Sequence, residues 1–524
     1  MKRFIKKFKI PIIVILGIFA VALLILGFGL IWMNQTWKHL SLDELIYTLS
    51  TPKDGVDTAM IKSFILTVLI PVLSIAIIFG ILLHRFKQDK KIKTALTFVA
   101  LVVPLILSAS ISIYTARKLD VFAYVKNKED NKDFIDHNYV DPKDVNITFP
   151  QKKRNLIYIV VESLEAADAD VANGGAFKDN YIPKLTSLAK NSETFSGTSQ
   201  KDINGFHVLP AGTWTVAGIF SQTAGVPLQI AVNQNDMEYQ NSFFPGLTTM
   251  GDVLADAGYN QAFLLGSKAS FAGRDTYFSE HGDFDIWDYN YAKKEGWIPS
   301  DYGVFWGYED EKLFDFAKTQ LKELSSDSEP FNLTMLTVDT HFEDGYTCRL
   351  CKDDFKNNPY GNVYRCVDRQ LTSFVEWAKT QDFYENTTIV IAGDHCTMDS
   401  DFFDNATVDL DQYERKGFYT VINSPLTYNQ EEKREILAYD LFPTTLAALG
   451  ADIEGDRLAL GTNLYSDREN LVGMFGLDAV TAGVSGSSTM LKELSNIKTV
   501  TTENGSSVVF PNPIQIQSNK PASK

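Results

Sequence analysis

Three long apolar runs open the chain: Ile10 to Met33, Ser63 to Leu83 and Ala95 to Tyr114. Each is long enough to cross a hydrocarbon core of about 30 Å as a helix, which takes roughly 20 residues. The first follows a basic head of Lys2, Arg3, Lys6, Lys7 and Lys9. Its apolar run exceeds the roughly 7–15 residues of a secretory signal, and no Ala-x-Ala site follows, so it reads as a retained anchor. Arg85, Lys87, Lys90, Lys91 and Lys93 crowd the second loop. The first loop has only Lys38, Lys53 and Lys62 against Asp43, Glu44, Asp54 and Asp57. The positive-inside bias therefore puts the amino terminus and the second loop in the cytoplasm. Three spans then carry everything after Tyr114 to the outside.

Beyond the anchor (residues 1–115) the pattern changes. Residues 116–154 are charged and weakly periodic and read as a connector, with Phe134 and Tyr139 available to pack it onto the domain beyond. From there short apolar runs alternate with amphipathic ones. Leu156 to Val161, Ala262 to Leu265, Leu333 to Val338, Thr388 to Ala392 and Phe418 to Ile422 are rich in β-branched and aromatic residues and predict buried strands. Ile182–Lys190, Leu247–Ala257, Glu311–Leu324, Tyr364–Thr380 and Ile436–Leu449 predict helices. This alternation predicts an α/β domain over residues 155–490, a mainly parallel sheet flanked by helices. Residues 491–524, rich in Ser, Thr, Asn and Lys, predict a loosely ordered tail.

Composition narrows the class. The chain has 524 residues, 45% hydrophobic and 22% charged, with a formal net charge of -16. Its acidity and the lack of a basic, aromatic-studded run argue against nucleic acid as a partner. The four cysteines, Cys348, Cys351, Cys366 and Cys396, cluster as local disulfides do in an oxidising compartment. A metal site is the alternative, but Cys348-x-x-Cys351 lacks a second CxxC pair at zinc-ribbon spacing. A loop-pinning disulfide is therefore expected, with its pairing open.

In parallel α/β sheets ligands bind beyond the carboxyl ends of the strands. Glu162-Ser163 follows the first strand, Asp339-Thr340-His341 follows Leu333–Val338, and Gly393-Asp394-His395 follows Thr388–Ala392. Carboxylates and imidazoles on one sheet edge suit Mn²⁺, Mg²⁺ or Zn²⁺. Each alone is commonplace as a cap, a turn or a structural histidine; the shared position gives them weight. Ala211-Gly212-Thr213-Trp214-Thr215-Val216-Ala217-Gly218 offers hydroxyls, which become useful nucleophiles beside a base or a metal.

Taken in order, Asn155 to Ser163, Gly212 to Gly218, Phe271-Ala-Gly-Arg274-Asp275, Thr337 to His341 and Gly393-Asp394-His395 resemble the membrane phosphoglycerol transferases. That group comprises lipoteichoic acid synthases and osmoregulated-glucan phosphoglycerol transferases, within the alkaline-phosphatase/sulfatase superfamily. The wording around Thr215 and His341 is closer to the glucan type. The resemblance implies an alkaline-phosphatase-like fold at the bacterial cell membrane. It implies Glu162, Thr215, Asp394 and His395 as ligands of a metal, usually Mn²⁺, with Mg²⁺ or Zn²⁺ as alternatives. Thr215 would be the nucleophile, Arg274 would grip the substrate phosphate, and His341 would lie beside the phosphoglycerol group. The donor would be phosphatidylglycerol, and the acceptor an extracellular glycan or a teichoic-type polymer.

Thr213 competes with Thr215 for the nucleophile. The superfamily places a glycine ten residues after it, and Gly225 stands ten after Thr215. The formylglycine signature of sulfatases, Cys or Ser followed by x-Pro-Ser-Arg, is missing. Leu265 and Ala272 stand where lipoteichoic acid synthases carry a histidine and a tryptophan, and three spans replace their five, so the acceptor stays open. A phosphoethanolamine transferase, a hydrolytic phosphodiesterase and an idle, membrane-tethered glycan-binding protein are the competing expectations. Phe305-Trp306 reads as aromatic packing or the rim of a substrate groove, and His207 and His281 have no partner legible in sequence.

Overall fold

The computed structural model describes residues 2–37, 42, 45, 58–198, 202–230, 242–495, 497–501 and 507–511. The chain separates into two compact units, divided at Lys126 and Asn127. In the first, helix α1 spans Lys2–Thr36 and α3 spans Lys90–Lys118. Between them, α2 runs from Thr58–Phe64 through a π turn, Ile65–Leu69, into Ile70–Arg85. Val14–Thr36, Met60–Arg85 and Lys90–Lys118 are long and apolar enough to cross a membrane. Asp89 caps α3, accepting from the Lys91 and Ile92 N–H groups. Small and polar side chains join the helices, as lipid offers them no other partner. Trp32 Nε1 donates to Ser63 Oγ at 3.1 Å, Asn34 Nδ2 donates to Thr115 Oγ1 at 2.7 Å, and Ser108 Oγ donates to the Leu23 carbonyl across the close approach at Gly27. Most of the first loop, on which the orientation argument draws, lies outside the described residues.

The stretch expected as a connector is largely helical. Lys90–Lys118 runs past Tyr114, and Val121–Asp130 and Phe134–Asn138 come next. Phe134 and Tyr139 pack against the core of the second unit.

That unit is built on one eight-stranded sheet. In chain order its strands are β1 Asn155–Val161, β2 Gly205–His207, β3 Asn260–Leu265, β4 Asp285–Trp287, β5 Phe331–Leu336, β6 Thr387–Gly393, β7 Gly417–Ile422 and β8 Ile436–Leu437. Their order across the sheet is β4-β3-β5-β1-β6-β7-β2-β8. All run parallel except β7, which is antiparallel to both β6 and β2. The expected mainly parallel α/β sheet is present. Every residue from Leu156 to Val161 is fully buried. Leu156, Tyr158 and Val160 enter one hydrophobic core and Ile157, Ile159 and Val161 the other, so β1 carries no polar face. Such a strand is stable only with helices on both sides.

The five predicted helices appear with shifted ends, as α4 Pro183–Lys190, α6 Met250–Asp256, α8 Asp310–Leu324, α9 Pro359–Ala378 and α10 Leu441–Ala448, and two unpredicted ones stand among them, α5 Thr215–Ala224 and α7 Arg274–Glu280. The expected helix Ile436–Leu449 is corrected. Its first two residues are strand β8, paired with Phe206 and His207, and Asp440 then turns the chain by accepting from the Leu437 N–H. Strands β2 and β4, three residues each, and β8, two residues, are too short to show a period. In the tail, Ile497–Thr501 pairs antiparallel with Ser507–Pro511, and residues 512–524 lie outside the described residues.

The expected disulfide is also corrected, because all four cysteines are free thiols. Cys348 has two thiol neighbours, Cys351 and Cys366, each at 3.7 Å. Cys396 lies apart from them, beside Glu165.

The two histidines without legible partners both have them. His281 meets Asp252 Oδ2 at 2.9 Å and the Phe243 carbonyl at 2.8 Å. His207, on β2, sits between Glu414 Oε1 at 2.5 Å and Glu435 Oε2 at 2.7 Å. Burial disfavours a charged His207 ring, but its hydrogen bonds to Glu414 and Glu435 outweigh that and raise its pKa above the ordinary 6.5. The protonated ring therefore stabilises the fold below about pH 6.5, and that contribution is lost as pH rises through the folded pKa. His207→Gln should lower stability by about 1 kcal/mol at pH 6, a figure reduced for the half-exposed glutamates, and by much less at pH 9. Urea unfolding of the full chain in detergent at the two pH values checks this; an equal loss at both contradicts it.

Candidate metal centre and nucleophile

Strands β1 and β6 are neighbours in parallel register, with Val161 opposite Gly393. The next residues along each strand, Glu162 and Asp394, therefore leave the sheet side by side, and His395 follows. The backbone reverses sharply here. Ser163 adopts a left-handed φ of 54°, and a Cβ on Gly393 would lie 1.9 Å from the Leu164 carbonyl oxygen. Glu162 is held from below: its N–H donates to Thr337 Oγ1 at 3.0 Å, and its carbonyl accepts from Thr340 Oγ1.

One ligand atom each from Glu162, Asp394 and His395 lies within 4.8 Å of the others, and all three residues are buried. Asp394 Oδ1 accepts two backbone N–H groups, from Ser163 at 2.7 Å and from His395 at 2.8 Å. Asp394 Oδ2 is buried and has no hydrogen-bond partner among the described residues. His395 Nδ1 donates to the Cys396 carbonyl at 2.9 Å, which turns Nε2 toward Glu162 Oε1 at 3.4 Å and Asp394 Oδ2 at 3.5 Å. A neutral ring so oriented presents a lone pair to two carboxylate oxygens, which is unfavourable unless a cation lies between them. Tying the second imidazole nitrogen to a carbonyl is how metal-bound histidines are oriented. These donors fit a divalent ion of the Mn²⁺, Mg²⁺ or Zn²⁺ kind.

The electrostatics describe the same need. Burial opposes ionisation of Glu162, but the His395 hydrogen bond and the positive charge of His341 and His395 hold its carboxyl at about 2. Burial, then the Glu162 carboxylate, raise Asp394 to about 7. Burial disfavours a charged His395, yet Asp394 and Glu162 raise it to about 10. Two carboxylates share this pocket only if something positive joins them.

Thr215 is the first residue of α5 and is half-buried. Its Oγ1 donates to Glu162 Oε2 at 3.2 Å. No side chain caps α5. The helix reaches this position because Gly218, within the same turn, has no side chain: a Cβ there would meet the Asp394 carbonyl oxygen at 2.2 Å.

Arg274 and His341 come from other segments. Arg274 opens α7 and is buried, with Nε on the Phe271 carbonyl at 3.1 Å and Nη2 on the Lys268 carbonyl at 2.8 Å and Ser267 Oγ at 3.2 Å. These contacts tie it to its own loop. His341 follows β5 on the other flank of β1, near enough for its charge to act on Glu162. Trp306 lies 4.7 Å from its ring and Phe305 6.2 Å, and the pair packs further on Phe271 and Tyr346, as the aromatic-packing expectation has it.

Sequence reasoning missed the supports. Glu165 accepts from Arg415 through both carboxylate oxygens and from the Thr397 N–H at 2.8 Å, which pins the loop carrying His395. The Asp310 and Asp339 carboxylates each accept the other residue's backbone N–H at 3.2 Å, with Asp339 two residues before His341. No spacing announces such pairs, because their members come from distant segments.

Asp394→Asn should lower Mn²⁺ affinity by at least the roughly 10–100-fold that loss of an outer-shell partner costs a metal site. Titration calorimetry on the full chain measures it; unchanged affinity would exclude Asp394 as a ligand.

Residues 154–451 match the family model described as Sulfatase. Phosphoglycerol transferase I of Escherichia coli strain 55989 is 29% identical over 434 residues, covering 81% of this chain and 53% of its own length. The chain thus spans about half the length of the curated relatives it matches. Among solved structures, the lipoteichoic acid synthase LtaP from Listeria monocytogenes is 19% identical with a TM-score of 0.47, covering 64% of this chain and 81% of its own. The lipooligosaccharide phosphoethanolamine transferase EptA from Neisseria meningitidis is 12% identical with a TM-score of 0.47, covering 83% and 84%. The family match takes in more than half of the chain, including Glu162, Thr215, Asp394 and His395, and this chain belongs to the sulfatase family.

Proposed function

We propose that this chain is a membrane-anchored, metal-dependent transferase that moves phosphoglycerol from phosphatidylglycerol to an extracytoplasmic acceptor, a glycan or a polyglycerolphosphate. The observation that carries the reading is the Thr215 hydroxyl, 3.2 Å from Glu162 beside two further buried ligand groups. A threonine without such company is a poor nucleophile. The similarity to phosphoglycerol transferase I supports phosphoglycerol as the transferred group. The three apolar helices support a lipid donor, and the basic residues at the amino terminus and in the second loop support an outward-facing domain.

Glu162, Asp394 and His395 would hold the divalent ion, with Mn²⁺ the preferred identity and Mg²⁺ or Zn²⁺ alternatives. Bound there, such an ion lowers the pKa of a coordinated hydroxyl and withdraws charge from a phosphoryl oxygen. The chain's residues do the rest in two displacements. Thr215 Oγ1 attacks phosphorus, the bond to the diacylglycerol oxygen breaks, and diacylglycerol leaves with the proton Thr215 gave up. A phosphoglycerol ester remains on Thr215. An acceptor hydroxyl then attacks that phosphorus, the bond from phosphorus to Thr215 Oγ1 breaks, and the proton the acceptor loses returns to Oγ1. The uncapped N–H groups of the first turn of α5 face the anion. Arg274 clamps non-bridging oxygens after exchanging loop carbonyls for them. His341 donates to the leaving oxygen or to the glycerol hydroxyls.

With fluorescent phosphatidylglycerol and Mn²⁺, the wild-type chain should release fluorescent diacylglycerol. Thr215→Ala should lower that rate by a factor on the order of 10³ or more. If the wild type is as inert as the variant with each of the three metals, the transferase reading fails and the binding-protein reading takes its place. Turnover of a phosphatidylethanolamine analogue in preference would reassign the transferred group.

A further inference from the structure

Away from the Glu162 centre, three thiols converge without bonding. Cys348 and Cys351 come from one turn, closed by the Cys351 N–H on the Cys348 carbonyl at 3.1 Å. Cys366 comes from the second turn of α9. Cys348 lies 3.7 Å from each of the others, and the three sulfurs fall within 4.8 Å of one another. Four ligands at the zinc–sulfur distance of about 2.3 Å lie about 3.8 Å apart along the edges of a tetrahedron. Polar and charged side chains surround the sulfurs. Gln370 Nε2 donates to Cys366 Sγ at 3.5 Å and to Cys348 Sγ at 3.8 Å. Arg369, paired with Asp354 at 2.6 Å, brings positive charge beside Cys366.

We propose that Cys348, Cys351 and Cys366 form a second metal site, one that binds a thiophilic divalent cation of the zinc class. Binding releases the three thiol protons to solvent and leaves a fourth position, on the half-buried Cys351 side, for water or another ligand. The site clips the segment after His341 to α9. Tyr346, two residues before Cys348, stacks on Phe305 at 5.8 Å, and Phe305 and Trp306 flank His341. The clip therefore braces the aromatic pair beside His341. It stands whether or not the transferase reading does.

The test is cobalt substitution of the full chain, purified under reducing conditions and stripped of metal. Thiolate ligands give Co²⁺ a near-ultraviolet charge-transfer band that carboxylate and imidazole ligands do not. The expected result is a band that saturates at one thiolate-bound Co²⁺ per chain and is displaced by Zn²⁺. It persists in Glu162→Ala and in Cys396→Ser and is lost in Cys348→Ser and Cys366→Ser. Alkylation of the wild type guards against misfolded variants: the three thiols should be protected with metal and reactive after chelation. No band in the wild type overturns the proposal. So does alkylation indifferent to metal, or a mass loss of one hydrogen pair that identifies Cys348 bonded to Cys351 or Cys366.

Discussion

Two carboxylates and an imidazole, packed where water does not reach, govern this structure. Glu162 and Asp394 are adjacent because β1 and β6 pair in parallel with Val161 opposite Gly393. A slip of one residue would turn every side chain of β1 to the other face, exchanging its contributions to the two cores. The buried strands therefore fix the separation of the ligand groups, and the cost of disturbing that separation is the cost of unpacking the sheet. The charge problem at the strand ends is in turn created by burial. In open solvent the same three groups would coexist without any cation.

Much of this could be read from the chain. Strands β1, β3, β5, β6 and β7 announced themselves as apolar β-branched runs, and the position of Glu162, His341 and Asp394-His395 just past such runs is a rule of parallel sheets. What could not be read has a common cause. Strands β2, β4 and β8 are two or three residues long and exist only through their neighbours. Ile436 and Leu437 carry the apolar pattern of a helix start and become strand because Phe206 and His207 offer a free edge. The partners of His207 lie more than two hundred residues downstream. Cys366 supplies a third thiol from a helix, where no CxxC spacing could reveal it.

The site residues divide by the support they receive. Glu162, Asp394 and His395 are each held by backbone hydrogen bonds and are buried. Thr215 stands on a helix that touches the Asp394 carbonyl through Gly218. Arg274, the first residue of α7, is held by the loop before it, and His341 lies among aromatic rings. The three candidate ligand groups are thus fixed by the strand pairing and by the hydrogen bonds at the strand ends.

Gly218 has one more implication. Because the helix bearing Thr215 rests directly on the main chain of Asp394, hydroxyl and carboxylate ride on a single mechanical element. A side chain at position 218 would lift that helix off the strand end and carry the hydroxyl away from the carboxylates.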